Sequence, residues 1–340
     1  MNGTKVKIPE DLKADLPPSR FGKILSATPV IMAVVATMLA GLASSEMTRA
    51  QYDRSLGAQQ QSKAGDQWSF FQAKRLRGAI QRNTADLLQT ITPVRAFDPA
   101  SLEQVISQSP GPADPSVGAQ LNKVLTSPGG QEAVALLKSG AAPKSSSAIE
   151  VDPKIKAAME GVETSTPDAE LAGIINQVDP KSLENALRVA RDQAQEFDTQ
   201  TKPINQAVDQ LETLLGRLTI SRRTQGEAKA TGDTSDPLSA LARDFTAARF
   251  RYTALRYEIE ARLNQTIANL YEVQVRKSNI SAEHHHRRSQ RFFFGMLAAQ
   301  TGVIISTLAM AAKNRNLLWS IAAVAGLLAV AFAVYVFLYV

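Results

Sequence analysis

The sequence predicts an all-α membrane protein with three transmembrane helices, a long antiparallel coiled-coil stalk and a small head of short helices. Three observations support this prediction. Two apolar runs at the C-terminus, 292–312 and 317–340, can each cross a hydrocarbon core about 30 Å thick as a helix. A third apolar run, 24–44, lies near the N-terminus. Over much of 181–291, apolar residues recur in steps of four and three, which is the spacing of a coiled-coil seam.

The last two apolar runs are separated by the four polar residues 313–316. This leaves room only for a tight turn, so we expect the two helices to form a membrane hairpin. None of the three runs contains Asp, Glu, Lys or Arg, which ion-coupled transport usually requires inside the membrane. A transporter is therefore disfavoured, whereas a pore lined by small or hydroxyl side chains stays open.

The N-terminal run, 24–44, is predicted to be an uncleaved anchor that follows a polar tail, 1–23. A cleaved signal peptide is the alternative, but the run is long, starts late and lacks a clear small-x-small cleavage site. Pro29 lies in its first turns, where proline costs a helix least. Small residues also recur every four positions, which suits close contact with another helix but is common in membrane helices. They are Ala33, Thr37, Gly41 and Ser45.

The formal net charge of +6 would suit a nucleic-acid-binding protein, but its distribution indicates otherwise. Between positions 272 and 291 there are five Arg or Lys, three His and only two acids, directly before an apolar run. We predict that Arg287, Arg288 and Arg291 form a collar for lipid headgroups. The chain has no cysteine, which excludes disulfides, thiol chemistry and Cys-ligated metals.

A juxtamembrane helix is predicted over 45–92, because helix breakers are few and apolar residues recur at about helical spacing along one face. These residues are Trp68, Phe71, Leu76, Ile80, Leu87 and Ile91. Within this helix, Trp68, Phe71 and Lys74 are our candidates for an association surface beside the membrane. Packing against a neighbouring helix of the same chain is the alternative interpretation.

The tract 66–74 reads Asp-Gln-Trp-Ser-Phe-Phe-Gln-Ala-Lys, and a second block, 283–288, reads Glu-His-His-His-Arg-Arg. Both resemble a bacterial membrane family catalogued as domain-of-unknown-function family 4337. The chain departs from that family in having Phe70 and Phe71 where tyrosines are usual, and in its longer middle. The resemblance implies three membrane spans and a bacterial origin, and we expect the protein in the bacterial inner membrane. It implies no catalytic residue, because the family has no established activity.

The orientation of the spans is predicted from the positive-inside rule. Lys13, Arg20, Lys23, Lys313 and Arg315 favour a cytoplasmic N-terminus and an exported middle region, whereas the basic block before 292 favours the reverse. Long loops translocate largely regardless of charge, so we expect the N-terminus in the cytoplasm and the middle region outside it.

The middle of the chain, 93–180, is predicted to form the head of short helices, with a flexible link near 140–150. Eight of the sixteen prolines lie between positions 98 and 170, among short apolar clusters; complete disorder is the alternative. Asp-Pro should begin helices, because Asp caps free N–H groups and Pro fits the first helical position. The dipeptide occurs at Asp98-Pro99, Asp114-Pro115, Asp152-Pro153, Asp179-Pro180 and Asp236-Pro237.

The stalk, 181–291, is predicted to be two helices joined by a turn at 226–236, the second running into the membrane at Phe292. A kink or break is expected at Pro203. In the second helix the spacing of apolar residues shifts after Ile259, as an inserted four-residue stutter would produce. The seam positions that we expect to support association are Leu187, Phe197, Val208 and Leu215.

Candidate chemistry is confined to the three consecutive histidines, His284, His285 and His286. With Glu283 they are candidate metal ligands, but neighbours on a helix point about 100° apart and cannot close on one ion. A pH-responsive collar and a solvated helix face are the alternatives. The sequence contains no phosphate-binding glycine loop and no nucleophile elbow. We therefore expect no enzyme activity, no cofactor and no small-molecule substrate.

These observations favour a self-associating membrane scaffold, or an accessory subunit that organises a larger membrane complex. The expected partners are the lipid bilayer and further copies of the chain, with no nucleic acid. A sensor that passes a signal along the stalk is the alternative, and a gated pore is the third interpretation.

Overall fold

The structure is a computed structural model that describes residues 20–107, 115–145, 151–224, 237–312 and 315–339. Over these residues it contains nine helices and no strand, which confirms the predicted all-α class. The chain divides into two compact units. The terminal unit is Met1–Gln59 with Val275–Val340, and the middle unit is Gln60–Gln274.

Two very long helices contribute to both units, and the remaining helices are shorter. The helices are α1 Arg20–Ile91, α2 Pro99–Ser107, α3 Pro115–Thr126, α4 Pro128–Ser139, α5 Pro153–Glu163, α6 Asp168–Asn176, α7 Pro180–Thr224, α8 Pro237–Ala311 and α9 Arg315–Tyr339. Three of them, α1, α8 and α9, contain stretches long and apolar enough to cross a membrane, as predicted.

In the terminal unit, α1, α8 and α9 pack through small side chains. Met32 of α1 lies against Gly302 of α8 and Gly326 of α9, and a Cβ added at either glycine would collide with its side chain. Ala299 and Ala329 are fully buried in the same core. Small residues let membrane helices approach closely, and larger side chains such as Leu39 and Phe292 complete this core.

In the middle unit, α7 and α8 are antiparallel. Tyr252 donates a hydrogen bond to Asn205 (2.7 Å), and Arg249 donates one to Glu212 (2.6 Å). Positions further along α7 therefore pair with positions earlier in α8, as the sequence predicted. A coiled-coil supercoil of the two helices stays a prediction.

The second half of α1 also runs antiparallel to α8. Arg82 donates to Glu258 (2.8 Å), and the Arg95 backbone N–H, just after the helix, donates to Asp244 (2.9 Å). A Cβ added at Gly78 would lie 3.4 Å from the carbonyl oxygen of Ala254. Helix α8 is thus the common partner of α1 and α7 within this unit.

Five of the described helices begin where the Asp-Pro dipeptides predicted. Helices α2, α3, α5, α7 and α8 each have the proline of such a dipeptide as their first residue. Asp152 accepts a hydrogen bond from the backbone N–H of Lys154 (2.8 Å), and Asp179 accepts one from that of Ser182 (2.8 Å). The bond from Ser182 lowers the pKa of the Asp179 carboxyl, as expected for a charged helix cap. Asp114 and Asp236 lie outside the described residues.

Three of the short helices, α2, α3 and α4, contribute to one core with α7 and α8. Helices α3 and α4 pack directly on α7, and Phe97 contacts Phe245 of α8 edge to face, with ring centroids 5.6 Å apart. Further along the chain, Asn269 of α8 donates to Glu163 at the end of α5. The division into a head, 93–180, and a stalk, 181–291, stays a prediction.

Several predicted boundaries differ from those observed. Helix α7 continues through Pro203 without a break, and the kink that was the alternative there stays a prediction. Gly129 of α4 lies so close that an added Cβ would be 2.9 Å from the Pro203 carbonyl oxygen, and this packing supports the helix there. Helix α1 begins at Arg20, within the predicted tail, and Pro29 is consequently inside the helix. It also continues without interruption across the predicted boundary between 24–44 and 45–92.

Two predicted connections are only partly visible. Gly140 ends α4 in the left-handed conformation, with φ of 63°, at the start of the predicted link. Residues 146–150 of that link, the whole predicted turn 226–236 and the tail residues 1–19 lie outside the described residues. Helix α9 already begins at Arg315, so the connection between the last two helices is shorter than the predicted four residues.

Candidate association surface and the Glu46 cluster

The Trp68 tract lies on the α1 face that packs within the middle unit. Trp68 and Phe71 are half-buried, with their rings edge to face at 5.5 Å. Lys74 forms an ion pair with Glu260 of α8, and its ammonium lies 5.2 Å from the centre of the Tyr257 ring. Lys74 is thus paired within its own chain. Its contacts are those expected for packing against a neighbouring helix of the same chain.

The other predicted residues of this helix form a separate, outward face. Leu76, Ile80, Leu87 and Ile91 are between 51% and 77% exposed. We call these four residues the α1 stripe. At about 100° per residue they fall within a narrow arc, while the half-buried Trp68 and Phe71 lie well outside it. The prediction that all six residues share one face is therefore wrong.

Residue size explains which face of α1 turns inward. Ala64, Gly78 and Ala85 are on the packed side, where their small size lets α1 lie close to its neighbours. Large aliphatic side chains are on the outer side instead. A leucine or isoleucine side chain gains about 1.5–3 kcal/mol when it is fully buried, so the α1 stripe carries unused apolar surface.

The spacing of the α1 stripe is that of a coiled-coil seam. Leu76, Ile80 and Leu87 are separated by four and seven residues, and the exposed Asn83 occupies the heptad position between the last two. The outward face of α1 therefore has the pattern of a helix that packs against a further helix.

The four predicted seam residues of α7 are all in the interior of the middle unit. Leu187, Phe197, Val208 and Leu215 are each no more than 5% exposed. Val208 and Leu215 belong to the core cluster that also contains residues of α2, α3, α4 and α8. Their contacts are made within one chain, so a contact with another chain would first require the unit to open.

A buried carboxylate, Glu46, organises the polar residues of the terminal unit. It is 7% exposed and is bonded to His285 Nδ1 at 2.6 Å. Arg288 and Arg49 also lie near its Oε1, at 3.6 and 3.7 Å. Since an unpaired polar group is costly to bury, the two arginines and the histidine provide the partners of this buried side chain beside the apolar segment.

The three histidines have three different environments. His285 contacts Glu46, the His286 Nε2 lies 3.1 Å from the Gln290 side-chain nitrogen, and His284 is exposed. Within the described ranges, no group of three or more His, Asp or Glu side chains is placed to hold a metal ion.

The three arginines of the predicted collar also differ in their surroundings. Arg287 is exposed and forms an ion pair with Glu283 (2.8 Å), whereas Arg288 turns inward to Glu46 and Arg291 is half-buried. Arg288 thus contributes to the Glu46 cluster, and the lipid-headgroup collar stays a prediction.

Glu46 was not among the site residues predicted from the sequence. One signal could have identified it, since Glu46 is the first charged residue after the apolar run 24–44, and the basic block at 284–291 needs a counter-charge. The pairing itself joins positions 239 residues apart, so periodicity within one helix does not reveal it.

The segment that contains most of α1 is similar to a known family. Residues 21–106 match the family described as Domain of unknown function (DUF4337). The predicted resemblance is confirmed over this segment, whereas the second block, 283–288, lies outside the match. The searches of curated proteins and of solved structures found no match.

The DUF4337 segment contains both features described above. It includes almost all of α1, and therefore Glu46, the Trp68 tract and the α1 stripe. The family description names no activity, so the function has to be inferred from the surfaces of the molecule.

Proposed function

We propose that this protein is a non-enzymatic integral membrane scaffold that self-associates through the α1 stripe. The observation that carries the proposal is the exposure of Leu76, Ile80, Leu87 and Ile91, each more than half exposed on one side of α1. Four aliphatic side chains in a row along about four helical turns form a hydrophobic surface that a partner helix would cover.

A second copy of the chain is the partner that this surface fits best. Two copies inserted in the same membrane have the same orientation, so their α1 helices would run parallel about a two-fold axis. Each stripe residue then meets its own counterpart, and Asn83 meets Asn83. A polar residue in an apolar seam favours a register in which it finds a polar partner, which supports pairing of identical helices.

The membrane portion of α1 supports the same association. Ala33, Thr37, Gly41 and Ser45 are all exposed, and a Cβ added at Gly41 would have no neighbour within 4 Å. This stripe of small residues is thus not used by the helices of its own chain. It would allow two α1 helices to approach closely within the bilayer.

The proposal includes a location and an orientation. We place the protein in a bacterial inner membrane, with the N-terminus in the cytoplasm and the middle unit outside it. Three helices able to cross a membrane and the charges flanking them support this arrangement. An accessory subunit of a larger complex would use the same stripe for another membrane protein, and the experiment below separates the two cases.

Replacing Leu87 by glutamate should abolish the oligomer. A charge on each copy would face its counterpart across the seam, in a contact that otherwise excludes water. The measurement is the mass of the complex extracted directly into native-lipid nanodiscs. We expect a single oligomer for the wild-type chain and a monomer for Leu87→Glu, with at least about a tenfold loss of oligomer.

The matched control is Gln89→Glu, which introduces the same side chain at an exposed position away from the stripe. It should leave the oligomer intact, and both variants should keep the wild-type helix content because both positions are exposed in the single chain. An oligomer that persists in Leu87→Glu would refute association through the stripe. Co-purification of the wild-type monomer with another membrane protein would replace the scaffold by the accessory subunit.

A further inference from the structure

A groove in the terminal unit is lined by residues other than those of the α1 stripe. It has a volume of about 600 Å³ and is formed by α1 and α8. Its apolar lining includes Ala40, Met47, Phe293, Phe294 and Met296. The two phenylalanines are exposed, at 47% and 63%, so the groove opens toward the surroundings of the unit.

The polar lining is confined to one end of the groove. His286, Ser289 and Gln290 precede the two phenylalanines on α8, and Ser44 contributes from α1. From His286 to Met296 the helix advances about 15 Å, at about 1.5 Å per residue. The sequence places the start of the apolar span at 292, so the polar end lies at the depth of lipid headgroups and the apolar end at the depth of acyl chains.

One ring nitrogen of His286 lacks a hydrogen-bond partner. The His286 Nε2 lies 3.1 Å from the side-chain nitrogen of Gln290, which leaves Nδ1 to bind another group. That Nδ1 is buried and has no hydrogen-bond partner among the described residues. An ester carbonyl or a phosphate oxygen would satisfy it.

The charge around the polar end favours an anion. Between positions 272 and 291 there are five Arg or Lys and two acids. Arg287 is exposed next to His286, and its ion pair with Glu283 is of the surface type that contributes little energy. Arg291 follows one turn later on the same helix face.

From these observations we infer that the groove is a specific site for one anionic phospholipid. One acyl chain lies along Phe293 and Phe294. The glycerol ester or the phosphate accepts a hydrogen bond from His286, and the negative headgroup lies beside Arg287. The site belongs to a single chain, so it does not depend on self-association.

The test is lipid retention by the full-length chain. The protein is reconstituted in vesicles of equal parts phosphatidylglycerol and phosphatidylcholine, released in mild detergent, and weighed by native mass spectrometry. We expect one phosphatidylglycerol retained per chain, with about tenfold preference over phosphatidylcholine. Equal retention of the two lipids would overturn the anionic specificity.

Ala40→Phe fills the apolar part of the groove without adding charge, and it should reduce the retained phosphatidylglycerol about tenfold. The matched control, Ala27→Phe, adds the same ring at an exposed position of α1 that neither lines the groove nor belongs to the stripe of small residues, and retention should be unchanged. Equal retention by Ala40→Phe and the wild-type chain would show that the lipid binds elsewhere.

The polar end is tested by His286→Ala, which should lose the preference for phosphatidylglycerol. His284→Ala removes an exposed histidine that does not line the groove, so it should keep the preference. If His286→Ala kept the preference for phosphatidylglycerol, His286 would not be part of the lipid site. Because the retained lipid is counted per chain, the same comparison between variants can be made for a monomer and for an oligomer.

Discussion

Replacing Phe197 by aspartate should unfold the middle unit. Phe197 is 2% exposed on α7, and truncating a buried phenylalanine alone costs about 3–5 kcal/mol. The aspartate adds the cost of burying a carboxylate without a partner, which is several kcal/mol more. Since a typical domain is stable by about 5–15 kcal/mol, the sum removes most of that stability.

The measurement for this variant is hydrogen exchange of the full-length chain in nanodiscs, followed by mass spectrometry. Peptides from α7 and from the middle-unit part of α8 should lose their protection together, while peptides from the terminal unit keep theirs. Thr199→Asp, at an exposed position two residues away, should exchange like the wild-type chain. Full protection of α7 in Phe197→Asp would disprove the buried contacts described for this helix.

Replacing Glu46 by alanine should give the second-largest loss of stability. The change leaves Arg288 with its side chain only 18% exposed and without its carboxylate. Breaking a buried ion pair by removing one partner costs about 3–5 kcal/mol. We expect a value near the lower end, about 3 kcal/mol, because Arg49 and part of the cluster are exposed. Thermal unfolding in nanodiscs should shift downward by roughly 6–12 °C.

His285→Ala is the matched comparison for Glu46→Ala. It removes one hydrogen bond, worth about 1.5–3 kcal/mol at most when a charged group takes part, but leaves Glu46 with both arginines. The variant should therefore assemble like the wild-type chain and melt at a higher temperature than Glu46→Ala. If His285→Ala were the less stable of the two, Glu46 would not be the centre of the cluster.

Features fixed by a few neighbouring residues could be predicted from the sequence. The first residues of five helices followed from Asp-Pro, because the cap and the first helical position are adjacent and act locally. The three membrane-crossing helices followed from the length of uninterrupted apolar runs, which does not depend on what the helices contact.

Features that depend on distant contacts could not be predicted in the same way. Helix α7 continues through Pro203, where Gly129 of another helix lies close to the Pro203 carbonyl group, and the sequence of α7 alone does not reveal that contact. The shared core of the middle unit joins Phe97 to Phe245 across 148 positions of sequence, and the Asp-Pro pattern says nothing about that contact.

The sequence predicted several residues of the candidate association surface, but it did not predict which of them face inward. Leu76 and Trp68 both fit a helical repeat, but which of them faces inward is decided by the shape of α8, where small residues of α1 fit. The Glu46 cluster and the lipid groove each combine residues from the two ends of the chain. No pattern within one segment could have brought them together.

The most direct test of self-association through the α1 stripe is disulfide cross-linking in native membranes. The chain has no cysteine, so a single introduced cysteine reports on one position only. In two parallel α1 helices Ile80 meets Ile80, within reach of the Cβ–Cβ separation of about 3.5–4.5 Å that a disulfide requires. Mild oxidation of Ile80→Cys should give a covalent dimer, and Gln89→Cys should stay a monomer. A monomer for Ile80→Cys, or equal cross-linking of both variants, would contradict the proposed association.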